Sequence, residues 1–94
     1  MSHKIMVVEN SVAIRELMTF VLEGEGYKVV KAEDGMEALK KIDNVQPDMV
    51  FTDLNMPNMG GIELIRELRR KPRFKFIPIL VVTTESRDSG KKEQ

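Results

Sequence analysis

The 94-residue chain contains no cysteine. That excludes disulfides, zinc–thiolate sites and thiol catalysis, and with them a small secreted scaffold held by cross-links. Net charge is missing too, since 15 lysines and arginines balance 15 aspartates and glutamates. No long-range field draws such a chain to nucleic acid or to an anionic membrane, leaving only a local patch for contacts of that kind. No apolar run approaches the ~18 residues of a membrane span. Met1-Ser2-His3-Lys4 leads straight into a short apolar run, without the apolar core of a signal peptide. The expectation is a cytoplasmic protein with no direct nucleic-acid and no membrane partner. Length bounds it to one domain, with no room for a separate output module. A chain this short buries only about 60–68% of its unfolded surface.

What is present is a 41% hydrophobic, 32% charged sequence whose periodicity alternates. Ile5-Met6-Val7-Val8 is a continuous apolar run too short for a helix, as in a parallel strand buried on both faces. Ile14, Leu17, Met18, Val21 and Leu22 then share a helical stripe, with Asn10 or Ser11 to cap it and Gly24 and Gly26 to end it. Tyr27 to Ala32 reads as a strand. Asp34-Gly35 opens a helix with Met36, Leu39 and Ile42 on one face, ended by Pro47. Asp48 to Thr52 reads as a third strand ending at Asp53. A turn-rich segment through Pro57 and Gly60-Gly61 precedes a helix marked by Ile62, Ile65 and Leu68. After Pro72, Ile77 to Val82 forms a fourth strand. The order β-α-β-α-β-α-β with right-handed crossovers gives an open parallel α/β sheet with helices on both faces. Residues 85–94 read as a polar tail or the start of a fourth helix.

Ligands of open α/β sheets bind outside the carboxyl ends of the strands. Those ends carry Glu9 and Asn10, then Asp53, then Thr83. Two carboxylates, an amide and a hydroxyl form a hard-oxygen set suited to Mg²⁺. Taken singly, each has a plainer explanation: Asp at a strand end forms turns, and Asn caps helices. Their coincidence at one sheet edge is what points to a site.

Four segments then carry a resemblance. Asp53-Leu54-Asn55-Met56-Pro57-Asn58-Met59-Gly60-Gly61 resembles the phosphoacceptor loop of response-regulator receiver domains, the CheY-like family. Ala32 to Leu39 resembles that family's second-helix start. Val7-Val8-Glu9-Asn10-Ser11 stands in the place of its acidic pair, and Val81 to Glu85 resembles the segment bearing its switch hydroxyl. Together they run in the family's order over nearly the whole chain. The resemblance implies a flavodoxin-like sheet of strand order 2-1-3-4 and a protein of two-component signalling, not an enzyme with small-molecule turnover. It implies that Asp53 takes a phosphoryl group from a histidine kinase or phosphotransfer protein. Mg²⁺ would be held by Glu9, Asn10, Asp53 and the backbone carbonyl of Asn55. Thr83 would donate a hydrogen bond to the phosphoryl group and switch a surface read by a downstream protein. His3 reads as a solvated terminal residue, and Met56 and Met59 as packing.

The sequence departs from the family in three places. Asn10 replaces a carboxylate with a neutral oxygen, and a charge pair at 4 Å is worth about 4 kcal/mol at an effective dielectric of 20, so Mg²⁺ affinity should be weakened. Gly60 removes a side-chain cap from the third helix, at a cost of a few tenths of a kcal/mol. The fifth strand, the last helix and the family's phosphoryl-contacting lysine have no counterpart through Gln94, so neither Lys91 nor Lys92 takes that role. This expectation is a single receiver domain over 1–94, truncated after the fourth strand. The explanations are a chain that continues, a shortened one, or completion by another subunit; the exposed fourth-strand edge would then support a homodimer. The alternative function is a pseudo-receiver, a phosphorylation-independent interaction module. A flavodoxin-like cofactor binder needs a hydroxyl- or glycine-rich loop after the first strand, which Glu9-Asn10-Ser11-Val12 does not supply.

Overall fold

The computed structural model describes residues 3–83. Its elements are β1 (Lys4–Val8), α1 (Val12–Gly24), β2 (Lys28–Ala32), α2 (Gly35–Val45), β3 (Met49–Asp53), α3 (Gly61–Arg70), a 3₁₀ turn (Pro72–Phe74) and β4 (Ile79–Val82). All strand pairs are parallel, in the order β2-β1-β3-β4. The expected architecture is therefore present, strand order included.

The central strand explains its own composition. β1 has neighbours on both edges and layers on both faces, and Ile5, Met6, Val7 and Val8 are all buried. One face of the sheet carries the main core: Met6, Val8, Ala32 and Val50 pack with Ala38 and Ile42 of α2, Leu64 and Leu68 of α3, and Met59, Phe74 and Ile77. On the opposite face α1 lies over β1 and β2.

Helix ends follow local chemistry. The Ser11 hydroxyl accepts the Ile14 amide at 3.3 Å and caps α1, which settles the choice between Asn10 and Ser11. Asp34 caps α2 by accepting the Glu37 amide at 2.9 Å, while Glu37 reaches back to the Glu33 amide. Gln46 ends α2 in the left-handed region (φ 50) just before Pro47. Gly60 gives α3 no side-chain cap, as its lack of a side chain requires.

Several sequence expectations are corrected. Of the expected α2 face Ile42 is buried and Leu39 packs against the core, but Met36 is 46% exposed, and Gly35 and Ala38 complete the buried side. Ile62 is 54% exposed, and α3 buries Leu64 and Leu68. In both helices the last residue of the expected stripe, Ile42 or Leu68, is buried as expected, while toward the helix start the buried positions fall one residue earlier than the bulky side chains. Of the stripe expected on α1, Ile14, Met18 and Leu22 are half-buried, whereas Leu17 and Val21 are exposed and Thr19 is that helix's buried residue. β4 starts at Ile79, because Pro72–Phe74 forms a 3₁₀ turn and Arg69 holds the following loop by donating to the carbonyls of Phe74, Lys75 and Ile77. The expected tail or fourth-helix start at 85–94 lies outside the described residues.

Candidate phosphoacceptor site

Backbone register assembles the site. β1 pairs with β3 so that Val8 faces Thr52, and the next residues, Glu9 and Asp53, reach the end of the sheet side by side. β3 pairs with β4 so that Asp53 faces Val82, which sets Thr83 at the adjoining strand end. The Leu54 amide donates to the Val82 carbonyl at 3.1 Å and continues that pairing beyond Asp53.

Glu9 and Asp53 are 2% and 3% exposed, and their carboxyl groups lie near enough for Asp53 to act on the Glu9 charge. Ionised carboxylates only accept, so two of them side by side repel unless a proton or a cation lies between them. Burial is the largest influence on Glu9 and raises its pKa above the usual glutamate range. The Ser11 amide, which donates to Glu9 Oε2 at 2.9 Å, pulls the other way; the charge of Asp53 raises it further, and Arg15 lowers it slightly. Asp53 also accepts the Asn55 amide on Oδ1 at 3.3 Å, while the Thr52 hydroxyl donates to its carbonyl at 3.0 Å.

Asn10, Asn55 and Thr83 are exposed around this buried pair. Among the described residues no group of three His, Cys, Asp or Glu side chains is poised as a metal centre. A cation here would therefore draw on two carboxylates, on the neutral oxygens of Asn10 and Asn55, and on water, a set that suits Mg²⁺. Asp53 is also hemmed in by backbone. A Cβ on Gly61 would fall 2.5 Å from the Asp53 carbonyl oxygen, so this close approach dictates glycine there.

Sequence reasoning missed three residues around the site. Arg15 Nη1 donates to the carbonyls of Glu9 at 2.7 Å and Asn10 at 3.4 Å, fixing the turn that carries both. Asp34 and Asn58 join the start of α2 to the loop after Asp53 through a 2.7 Å side-chain hydrogen bond. Arg15 could have been noticed as a cation on the first turn of a helix that directly follows an acidic strand end. Asn58 carried a weaker signal, as Asn in a turn-rich segment tolerates positive φ.

Comparison with known proteins agrees with this geometry. Residues 5–94 match the response regulator receiver domain family. The chain is 41% identical over 92 residues to the chemotaxis protein CheY1 of Helicobacter pylori, spanning 96% of this chain and 72% of that protein. It is 38% identical over 91 residues to the alkaline phosphatase synthesis transcriptional regulatory protein PhoP of Bacillus subtilis, spanning 97% of this chain and 37% of PhoP. The crystal structure of the chemotaxis response regulator CheY4 of Vibrio cholerae superposes with a TM-score of 0.87 at 38% identity, covering 99% of this chain and 78% of that one. With its sheet order, its buried carboxyl pair and a family match over almost its whole length, the chain belongs to the response regulator receiver domains of two-component signalling.

Proposed function

We propose that Asp53 is the phosphoacceptor and that Thr83 couples its modification to a surface change. The observation that carries this reading is that two buried carboxyl groups, Glu9 and Asp53, finish side by side at the ends of β1 and β3. Two carboxyl groups so placed hold either one negative charge and a proton, or two negative charges and a cation. That second state supplies an ionised nucleophile beside positive charge.

In the transfer, an Asp53 oxygen bonds to phosphorus as the phosphorus–nitrogen bond of a phosphohistidine donor breaks. Mg²⁺, when bound, would neutralise charge on the phosphoryl oxygens. The protein's part is positional. β3 brings Asp53 to the sheet edge, the Asn55 amide orients its Oδ1, and Arg15 fixes the turn bearing Glu9 and Asn10. Glu9, the Asn10 side chain, Asp53 and the Asn55 carbonyl are the residues that would hold the cation. Asn10 brings no charge, so Asn10→Asp should tighten Mg²⁺ binding; an unchanged affinity by calorimetry would refute that role. Thr83 would donate its hydroxyl to the phosphoryl group, a contact available only after modification. The partners on this reading are a histidine kinase or phosphotransfer protein and a downstream protein. The β4 edge offers a second copy of the chain a strand to pair with, and sedimentation showing a monomer at every concentration would refute that association.

The test is incubation with acetyl phosphate and Mg²⁺, read by intact mass. The expected result is one added phosphoryl group, abolished by Asp53→Asn. No mass gain in the wild-type chain, or a gain that survives Asp53→Asn, overturns the assignment.

A further inference from the structure

The loop between β3 and α3 carries Asn55, and it is fastened at both ends. At the inner end the Leu54 amide donates to the Val82 carbonyl at 3.1 Å, and the Gly61 amide donates to the Leu54 carbonyl at 2.9 Å. At the outer end Asn58 Nδ2 donates to Asp34 Oδ2 at 2.7 Å. Asp34 cannot follow the loop, because it is only 8% exposed and its other oxygen caps α2. Beside this bond Met59 is seated against Gly35, where an added Cβ would come within 2.8 Å of the methionine side chain. Asn58 has φ 68, a conformation that suits Gly, Asn and Asp. Of these three, only Asn supplies a donor to a carboxylate.

We infer that Asn58 and Asp34 form a clip that positions the Asn55 segment for the phosphoacceptor site, making both of them positioning residues. The inference rests on the function proposed above. An ordinary loop hydrogen bond would add a little stability. A clip fixes where the Asn55 carbonyl lies relative to Asp53, and so sets the affinity of the site without touching it. Residues that hold ligands in place commonly matter to metal affinity in this way.

Two variants test the clip. Asn58→Gly keeps the backbone conformation and removes the donor. The exchanged pair Asp34→Asn with Asn58→Asp restores donor and acceptor in reverse, leaves net charge unchanged and retains a capping side chain at position 34. In the metal-free chain, amide hydrogen exchange at Asn55 and Met56 should rise about threefold to tenfold in Asn58→Gly, the range of a single hydrogen bond. It should return to within about twofold of wild type in the exchanged pair. The Mg²⁺ dissociation constant by calorimetry should rise by a similar factor and recover in the same way. The phosphorylation rate at saturating Mg²⁺ should stay nearly constant.

Unchanged exchange in Asn58→Gly overturns the clip. So does faster exchange with an unchanged Mg²⁺ affinity, or a folded exchanged pair that recovers neither. A wild-type chain that gains no phosphoryl group overturns the functional reading instead, and the metal-free exchange measurement still decides the clip.

Discussion

On one side of the sheet α2 and α3 close over Met6, Val8 and Val50, and Leu64, Ile42 and Leu68 are 0–1% exposed. On the other, α1 lies over β1 and β2, while Leu17, Phe20 and Val21 of α1 and Leu80 of β4 remain 61%, 76%, 53% and 51% exposed. The same strands feed both sides through alternate residues, so intrinsic strand preference cannot account for the difference. Among the described residues, free energy from apolar burial is concentrated on the α2–α3 side. That side also roots the loop between β3 and α3, since Met59 belongs to its core. Among the described residues the site is thus built over the better-packed side of the sheet.

The largest effect should come from emptying that side. Leu64→Ala should cost about 2–5 kcal/mol in chemical denaturation, whereas Leu17→Ala should stay within about 0.5 kcal/mol. Equal costs would break the comparison. If the Leu17→Ala cost also grew with protein concentration, a second copy would be covering the α1 side in solution.

Next, Gly61→Ala should cost about 1–3 kcal/mol, because its methyl group meets the Asp53 carbonyl, which cannot yield as a flexible side chain can. Gly35→Ala meets only the Met59 side chain and should cost less. A reversed order, measured by thermal unfolding, would show that the packed side gives way more easily than the site above it.

A third effect depends on pH. Glu9 has a folded-state pKa above its ordinary 4.5, so the folded chain binds that proton more tightly than the unfolded one. Its favourable contribution is therefore present below 4.5 and is lost as pH rises through the raised value. In metal-free buffer Glu9→Gln should stabilise the protein at neutral pH, and the gain should vanish under acid. Asp34 has the opposite sign: its capped, hydrogen-bonded carboxyl is held below the usual aspartate range. The stability it gives is present above pH 3.8 and is lost as pH falls through the lowered value. An Asp34→Asn variant with an unchanged acid limb would remove that contribution.

The smallest change is expected for Gly60→Asp, which adds a cap to α3 worth a few tenths of a kcal/mol. The new Cβ would lie 3.3 Å from the Leu54 carbonyl, which trims the gain.

Strand composition made the sheet legible. A run such as Ile5 to Val8 has few other places to go, and Ser11, Gly24 and Pro47 punctuated the helices. The strand ends named Glu9, Asp53 and Thr83 because parallel neighbours must finish together. Burial direction was harder to read, since Met36 and Ile62 are apolar yet sit one step away from the inward stripe. The Asn58–Asp34 bond was not legible at all. It joins residues 24 apart whose meeting depends on how a loop folds back over a helix, and no periodicity encodes that.

The placement of β1 between β2 and β3 has a kinetic consequence. Met6 pairs with Val30 on one side and with Val50 on the other, so the first strand made must wait for the third before both of its edges are satisfied. Such distant pairing slows the search for the native arrangement. Mutations that disturb β1 should accordingly slow refolding as well as hasten unfolding, whereas changes in β4, outermost of the described strands on its side, should act mainly on the reverse rate.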